Sequence, residues 1–242
     1  LIPSTPRRTW IFLLTSSLAF FGPDLLVPAA WAANPTYLLI STTYQLILVL
    51  VWFWFGPVIC KALVVWEINA GPLRVAVDLA LAAQRRVGTE MPITLAAFPV
   101  PFIVTAGLFP AQCQIFLSSA VVERLGADGL RFLLARALAH GGWHQRMVAL
   151  LPLLAFTAFL PDTPTSPSAW LTLAGVLVGW LGVHWLFELH ADRVAARVLG
   201  TNAMVGLSEV LAVTASPLGW LSLQPPLRWR RRVVSVQGDG IA

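Results

Sequence analysis

Charge is scarce in this chain. Asp, Glu, Lys and Arg together make up 11% of its 242 residues, against roughly 25% in soluble domains. Hydrophobic residues reach 57% and the mean hydropathy is +0.76. So few polar side chains could not cover the core of a water-soluble globule, and that class is excluded. Cysteine is scarce too: Cys60 and Cys113 have no metal-ligand spacing between them. Both fall on the side expected to be cytoplasmic, where a disulfide does not persist. There is no internal repeat and no low-complexity tract. The net charge of +5 would suit nucleic acid, but the arginines flank apolar stretches. Anionic lipid headgroups are therefore the expected partner, and no nucleic acid is.

What the chain has in abundance is apolar runs of membrane-spanning length. A helical crossing takes about 20 residues, and four stretches qualify: Trp10–Trp31, Tyr37–Cys60, Met147–Leu160 and Trp170–Phe187. The third is short, but the helical Leu130–Ala139 run before it lets one long helix enter the membrane. Gly22-Pro23-Asp24 should kink the first or hold Asp24 near the far interface. Trp10, Trp31, Tyr37, Trp170 and Trp185 stand near the ends, as interfacial aromatics do. Basic residues alternate with the spans. Arg7 and Arg8 precede the first, Lys61 to Arg146 follow the second, and Arg193 to Arg232 follow the fourth, while the two intervening loops carry none. By the positive-inside rule both termini and the central insert face the cytoplasm. Arg7-Arg8, an apolar run and Ala30-Trp31-Ala32 also fit a secretory signal with a cleavage site; we read the segment as an anchor.

The expected fold is a mainly α membrane protein with a small cytoplasmic α+β domain. Residues 1–60 form one transmembrane hairpin, 61–146 the insert, 147–187 a second hairpin, and 188–242 a helix and basic tail. Within the insert, Leu73–Val87 reads as an amphipathic helix with Arg85 and Arg86 in its last turn and Gly88 as its C-cap. Ile93–Phe98, Phe102–Phe109 and Gln114–Ser118, punctuated by Pro101, Gly107 and Pro110, read as a small sheet with hairpin connections. Ala120–Leu125 is a short helix, and Asp128 is placed to cap the helix starting near Leu130. Glu188–Leu199 continues the fourth span and stops at Gly200-Thr201-Asn202, with a further helix over Ala203–Thr214. Arg228-Trp229-Arg230-Arg231-Arg232 reads as a juxtamembrane basic patch.

The four histidines fall in two places. His140 and His144 stand at i, i+4, which sets both imidazoles on one face of a helix. His184, Glu188 and Asp192 recur every four residues on another. Two His from one helix and a Glu from a second are a zinc ligand set that leaves a fourth position for water. The same residues would also serve as interfacial groups pairing with one another and with headgroups, with Glu188 set against Arg146 or Arg193.

The segment Leu130–His144, LRFLLARALAHGGWH, resembles the zinc helix of the HtpX-like membrane metallopeptidases, relatives of the CAAX prenyl protease, with their L-x-x-V-L-A-H-E-x-x-H pattern. IFLSSAVVERLGADGL before it is similar to their preceding strand and helix. ELHADRVAARVLG, Glu188–Gly200, resembles their third-ligand helix, and QPPLRWR, Gln224–Arg230, their H-P-P-x-x-x-R tail element. The resemblance implies His140, His144 and Glu188 as zinc ligands, Asp192 and Arg193 as support residues, and a bacterial inner-membrane location. It also marks departures. Gly141 stands at the general-base position, Val100-Pro101-Phe102 replaces the substrate-edge N-A-F, and Gln224 replaces the tail's His. Glycine cannot take a proton from water, and general-base assistance is worth roughly 100- to 10,000-fold. Gly141 and Gly142 also weaken a helix by about 1 kcal/mol each relative to Ala. The expected function is a pseudoprotease without hydrolytic activity, a binding or structural subunit of a membrane protein complex, with or without zinc. The alternative is an active zinc membrane endopeptidase of protein quality control with an atypical base. A weaker third reading, a transporter with a His184–Glu188–Asp192 relay, lacks an inverted repeat.

Overall fold

The computed structural model describes residues 6–28, 31, 34–63, 66–82, 91–141, 167–214 and 224–238. Helices α1 (Pro6–Leu26) and α2 (Pro35–Leu63) pack as an apolar hairpin. Each opens on proline, as do α3 (Pro72–Ala82) and the 33-residue α6 (Pro167–Leu199). Proline suits the first helical turn, where its missing N–H has no intrahelical partner to lose. Among the described residues two runs are long and apolar enough to cross a membrane, Pro35–Leu63 and Ala174–Val213. The apolar part of α1, Trp10–Leu26, is shorter, and the expected third crossing, Met147–Leu160, lies outside the described residues. Among the described residues, the expected spans are thus represented by two long apolar runs and one shorter helix.

The outward faces of these helices are apolar. Trp10, Leu25, Leu171 and Val178 are each 70% or more exposed, and Leu14, Leu39, Ile40 and Trp170 are also exposed. Soluble proteins do not leave contiguous faces of this kind to water; in a bilayer they meet acyl chains. The chain is an integral membrane protein. Within the hairpin Asp24 has a role. Its carboxylate accepts hydrogen bonds from Tyr37 Oη at 2.5 Å, Ser41 Oγ at 2.7 Å and Gln45 Nε2 at 3.0 Å, all on α2. At the other end Arg8 donates to the Ala62 carbonyl in the last turn of α2, satisfying one of the orphan acceptors there.

The domain beside these helices holds a three-stranded sheet, β1 (Ile93–Ala96), β2 (Ile103–Ala106) and β3 (Gln114–Ser118), in the order β1-β3-β2. β3 runs parallel to β1, with Ile93 opposite Ile115, and antiparallel to β2, with Ile103 opposite Leu117. Only β2–β3 is therefore the expected hairpin-type connection. β3 lies between the first two strands and is buried from Ile115 to Ser118, which suits a central strand. The turn between β2 and β3 requires glycine: Gly107 has φ 116°, and a Cβ there would lie 2.6 Å from the Gln112 carbonyl oxygen.

α4 (Ser119–Arg124) leads into α5 (Ala127–Ala139), which is enclosed on every side: Leu130 and every residue from Phe132 to Leu138 are buried. The sheet side, α3, α6 and α7 (Ala203–Thr214) surround it, and α8 (Leu227–Gly238) packs across α6 and α7. The cap of α5 differs from expectation. Gly126 is the N-cap, and Asp128 sits in the first turn, 3.8 Å from Arg131. The cap comes from α7 instead, where Glu209 Oε2 accepts the backbone N–H groups of Gly126 at 2.9 Å and Gly129 at 3.0 Å. Its negative charge also complements the helix N-terminus. Close approach of α7 needs Gly206, where a Cβ would stand 2.7 Å from the Asp128 carbonyl oxygen and 2.8 Å from Phe132 Cβ.

Glu209→Ala should therefore lower stability by about 1–2 kcal/mol, the loss of a cap and its dipole interaction. Denaturant unfolding in detergent checks this, with the exposed neighbour Ser208→Ala expected to change little.

Candidate functional site

Three helices meet where α5 ends. α5 closes at Ala139 and His140 is its C-cap, its N–H still bonded to the Arg136 carbonyl, while Gly141 N–H turns back to Leu138. α5 ends just before the paired glycines. His144 lies outside the described residues. Arg136 stands one turn before His140, on the same face.

α6 presents Glu188 and Asp192 one turn apart, and α8 presents Arg230; with Arg136 these form a buried cluster of four charges. Arg136 Nη2 pairs with Glu188 Oε2, and Arg136 Nε lies 3.0 Å from Asp192 Oδ1, an ionic contact without hydrogen-bond direction. Arg230 grips Asp192 with two bonds, Nε to Oδ2 at 2.6 Å and Nη2 to Oδ1 at 2.9 Å. The fork-on-carboxylate form is the strongest geometry an ion pair adopts. Gln224 Oε1 accepts from Arg230 Nη1 at 3.0 Å. At the rim His140 Nε2 stands 3.4 Å from Glu188 Oε1. Asp192 is 0% and Arg230 1% exposed. Burial pulls the Arg136 guanidinium down to about 10; Asp192 opposes that shift and Arg230 adds to it. Arg136 remains charged at neutral pH.

His140, Glu188 and Asp192 are thus brought together, with Gln224 bonded into the same cluster. Arg193 is on the exposed face of α6, and the side chains that meet Asp192 are Arg136 and Arg230. His184, one turn before Glu188, stacks on Trp180 at 5.5 Å. Val100-Pro101-Phe102 leads into β2, an edge strand of the sheet. The sequence reading missed Arg136, whose signal was a lone charge in the apolar LLARALA run, one turn before His140. Arg230 was read as part of a basic patch. The patch reading fails for it, because Arg230 and Val234 form the buried i, i+4 stripe of α8, and that face carries its side chain inward. Gly141 is buried, and a Cβ there would overlap Met91 Cε and lie 2.8 Å from its Sδ. The overlap is with the flexible end of the Met91 side chain, which must move aside for any side chain at position 141.

The fit to a metal follows from these contacts. The 3.4 Å between His140 Nε2 and Glu188 Oε1 matches the edge, about 3.3 Å, of a tetrahedron with bonds of about 2.0–2.1 Å. The charges do not match. Glu188 and Asp192 are balanced by Arg136 and Arg230, so a dication would add uncompensated charge to a buried neutral cluster, which costs several kcal/mol. Glu188 is also already held by a guanidinium. Among the described residues no three His, Cys, Asp or Glu side chains come together as a metal site. With Arg136 in place, these residues do not fit a zinc ion.

No protein-family model and no curated protein matches the sequence. A solved structure does: Ste24p from S. mikatae, with a TM-score of 0.59 and 16% identity, aligned over 95% of this chain. The chain has the Ste24p fold. It spans 66% of the length of that protein. The likeness covers the membrane helices and the small helix-and-strand domain alike.

Removing one member of a buried ion cluster leaves its partner uncompensated. Arg136→Met should cost about 3–5 kcal/mol, and adding Glu188→Leu should recover most of it; denaturant titration of both variants tests the pairing. Gly141→Glu should lower stability by about 1–3 kcal/mol through overpacking. A second change, Met91→Ala, should return part of that loss in the same titration.

Proposed function

We propose that this chain is a pseudoprotease, a membrane protein on the HtpX-like and Ste24p-like metallopeptidase fold that performs no hydrolysis. On this reading it serves as a binding or structural subunit of a membrane protein complex. The observation that carries it is Arg136 on Glu188. In a working site of this class the third-ligand carboxylate faces a Lewis-acidic cation that lowers the pKa of bound water to about 7. A guanidinium balances the same carboxylate but only donates hydrogen bonds, so it can clamp α5 to α6 and cannot activate water. Gly141 adds to this, since it has no side chain to act as base. The topology that goes with this reading has four crossings, as two hairpins over 1–60 and 147–187. Both termini are cytoplasmic, in a bacterial inner membrane.

The endopeptidase alternative draws on one observation, the ligand-like spacing of His140 and Glu188. The two separate on metal content. Elemental analysis of the detergent-purified chain should find far less than one zinc per chain. Casein cleavage should be no higher than in a His140→Ala, His144→Ala variant. Close to one zinc per chain, lost in that variant together with chelator-sensitive cleavage, would overturn the proposal.

A further inference from the structure

The sheet is lowered along α2, and its contacts give the depth. Following α2 back from its end, Cys60 packs with Ala106 and Phe116, and the Gly107 backbone N stands 3.4 Å from where a Cβ on Gly56 would lie. Phe109 meets Trp54 edge to face at 5.2 Å, and Leu108 is buried with Val49. β2 and its turn therefore descend beside the apolar run that ends at Cys60. Thr105 pairs with Ile115 and Ile115 with Ile93, one row across the whole sheet. That row stands about 7 Å up the strand from Gly107, and Cys60 stands about 6 Å up the helix from Gly56. The row is thus level with the end of the apolar run.

α3 starts at that level. After α2 the chain runs antiparallel to β1, with Ala97 N–H on the Trp66 carbonyl at 2.8 Å and Ile68 N–H on the Leu95 carbonyl at 2.7 Å. It turns at Gly71, φ 102°, and Arg74 Nη1 then donates to the Ile93 carbonyl at 3.0 Å. α3 buries Val77 and Ala80 in the core and turns Pro72, Val75, Leu79 and Ala82 outward. Val75 is 55% and Leu79 65% exposed, so the outward stripe is apolar along its length. Asp78 flanks it but is paired with Arg74 at 3.0 Å, and the flank carries no net charge. Leu79 lies one turn beyond Val75, about 6 Å, so both fall within the layer of about 5–10 Å that an interfacial amphipathic helix occupies. We propose that α3 lies in the membrane interface, with Val75 and Leu79 against the acyl chains of the leaflet in which α2 ends. Lipid is the occupant because the stripe stands at the height where α2 leaves the bilayer, so it continues a surface that already meets lipid. The contact is independent of whether the chain hydrolyses anything. Since α3 packs on α5, it gives the helix that carries Arg136 an attachment to the bilayer besides α6.

The test places spin labels on Val75→Cys and Leu79→Cys variants of the full chain in lipid nanodiscs and measures their collisions with oxygen and with a water-soluble nickel chelate. Both positions are exposed, so a label there leaves the core undisturbed. The native chain, whose Cys60 and Cys113 are buried, supplies the blank. Leu171→Cys on α6 is the lipid reference. Glu123→Cys is the water reference, on the exposed side of α4 beyond the Ser118 end of β3, which points away from the bilayer. Oxygen concentrates in the apolar phase and the chelate in water. The oxygen-to-nickel ratio should therefore be several-fold higher at both stripe positions than at Glu123→Cys, and should approach that at Leu171→Cys. A ratio at either stripe position as low as the water reference would leave the stripe in water and overturn the proposal. Low access to both reagents would show that a second copy or another protein covers the stripe, and would overturn it equally.

Discussion

An arginine inside a helix that is buried all round is the constraint on which this fold turns. α5 is walled in by the sheet side, α3, α6 and α7, so Arg136 has little access to water and its charge must be met largely within the protein. Taking an ion out of water costs several kcal/mol even after relaxation, more than any single contact of α5 returns. α6 must therefore dock with Glu188 and Asp192 aimed at Arg136. Asp192, with two oxygens and no exposure, then needs a second cation, and α8 delivers Arg230. Each helix is fixed in rotation and height by the charge it brings, because a shift of one residue would turn the group away. The cluster gives a register that apolar packing of Leu, Ala and Val alone would leave slack.

The same cluster sits at a boundary. Glu188 is the first charged residue of α6 after the apolar stretch from Trp170, so the ion network begins where the hydrocarbon phase ends. Ionisable groups at that depth are tolerated when partnered, and here partnership and anchoring are the same contacts. α6 runs without a break from the membrane into the domain, so α5 and the structure around it are held to the bilayer through one continuous rod. The Asp24 clasp between α1 and α2 follows the same logic inside the apolar hairpin, with one carboxylate and three neutral donors.

Much of this was legible in the residues, and the parts that were not share a cause. Apolar runs and basic alternation gave the long helices, since hydropathy needs no partner to be read. The short strands were found, but their order was not, because β3 inserts between β1 and β2 through long-range pairing. The cap of α5 was assigned to Asp128 on local grounds, whereas Glu209 supplies it from about 80 residues away. Of the expected ligands His140, His144 and Glu188 and support residues Asp192 and Arg193, the fold brings His140, Glu188 and Asp192 near one another. Arg136 and Arg230 were missed for opposite reasons. One was hidden inside an apolar helix, and the other was lost among neighbours of like charge, where only the period of α8 sets it apart. Partners of buried charges lie on other elements, and a linear pattern does not record them.

On the pseudoprotease reading, three features at the end of α5 bear on one another. A zinc hydrolase needs a cation that polarises water, a base to deprotonate it, and room for both. Arg136 supplies the cation's structural duty, joining a ligand-position carboxylate on α6 to the helix that carries His140, without its Lewis acidity. Gly141 withdraws the base. The end of the Met91 side chain packs over Gly141 and would have to move for a larger residue there. With Arg136 present the charges already sum to zero, so the clamp holds without metal. The scaffold can then be kept for what its surfaces bind.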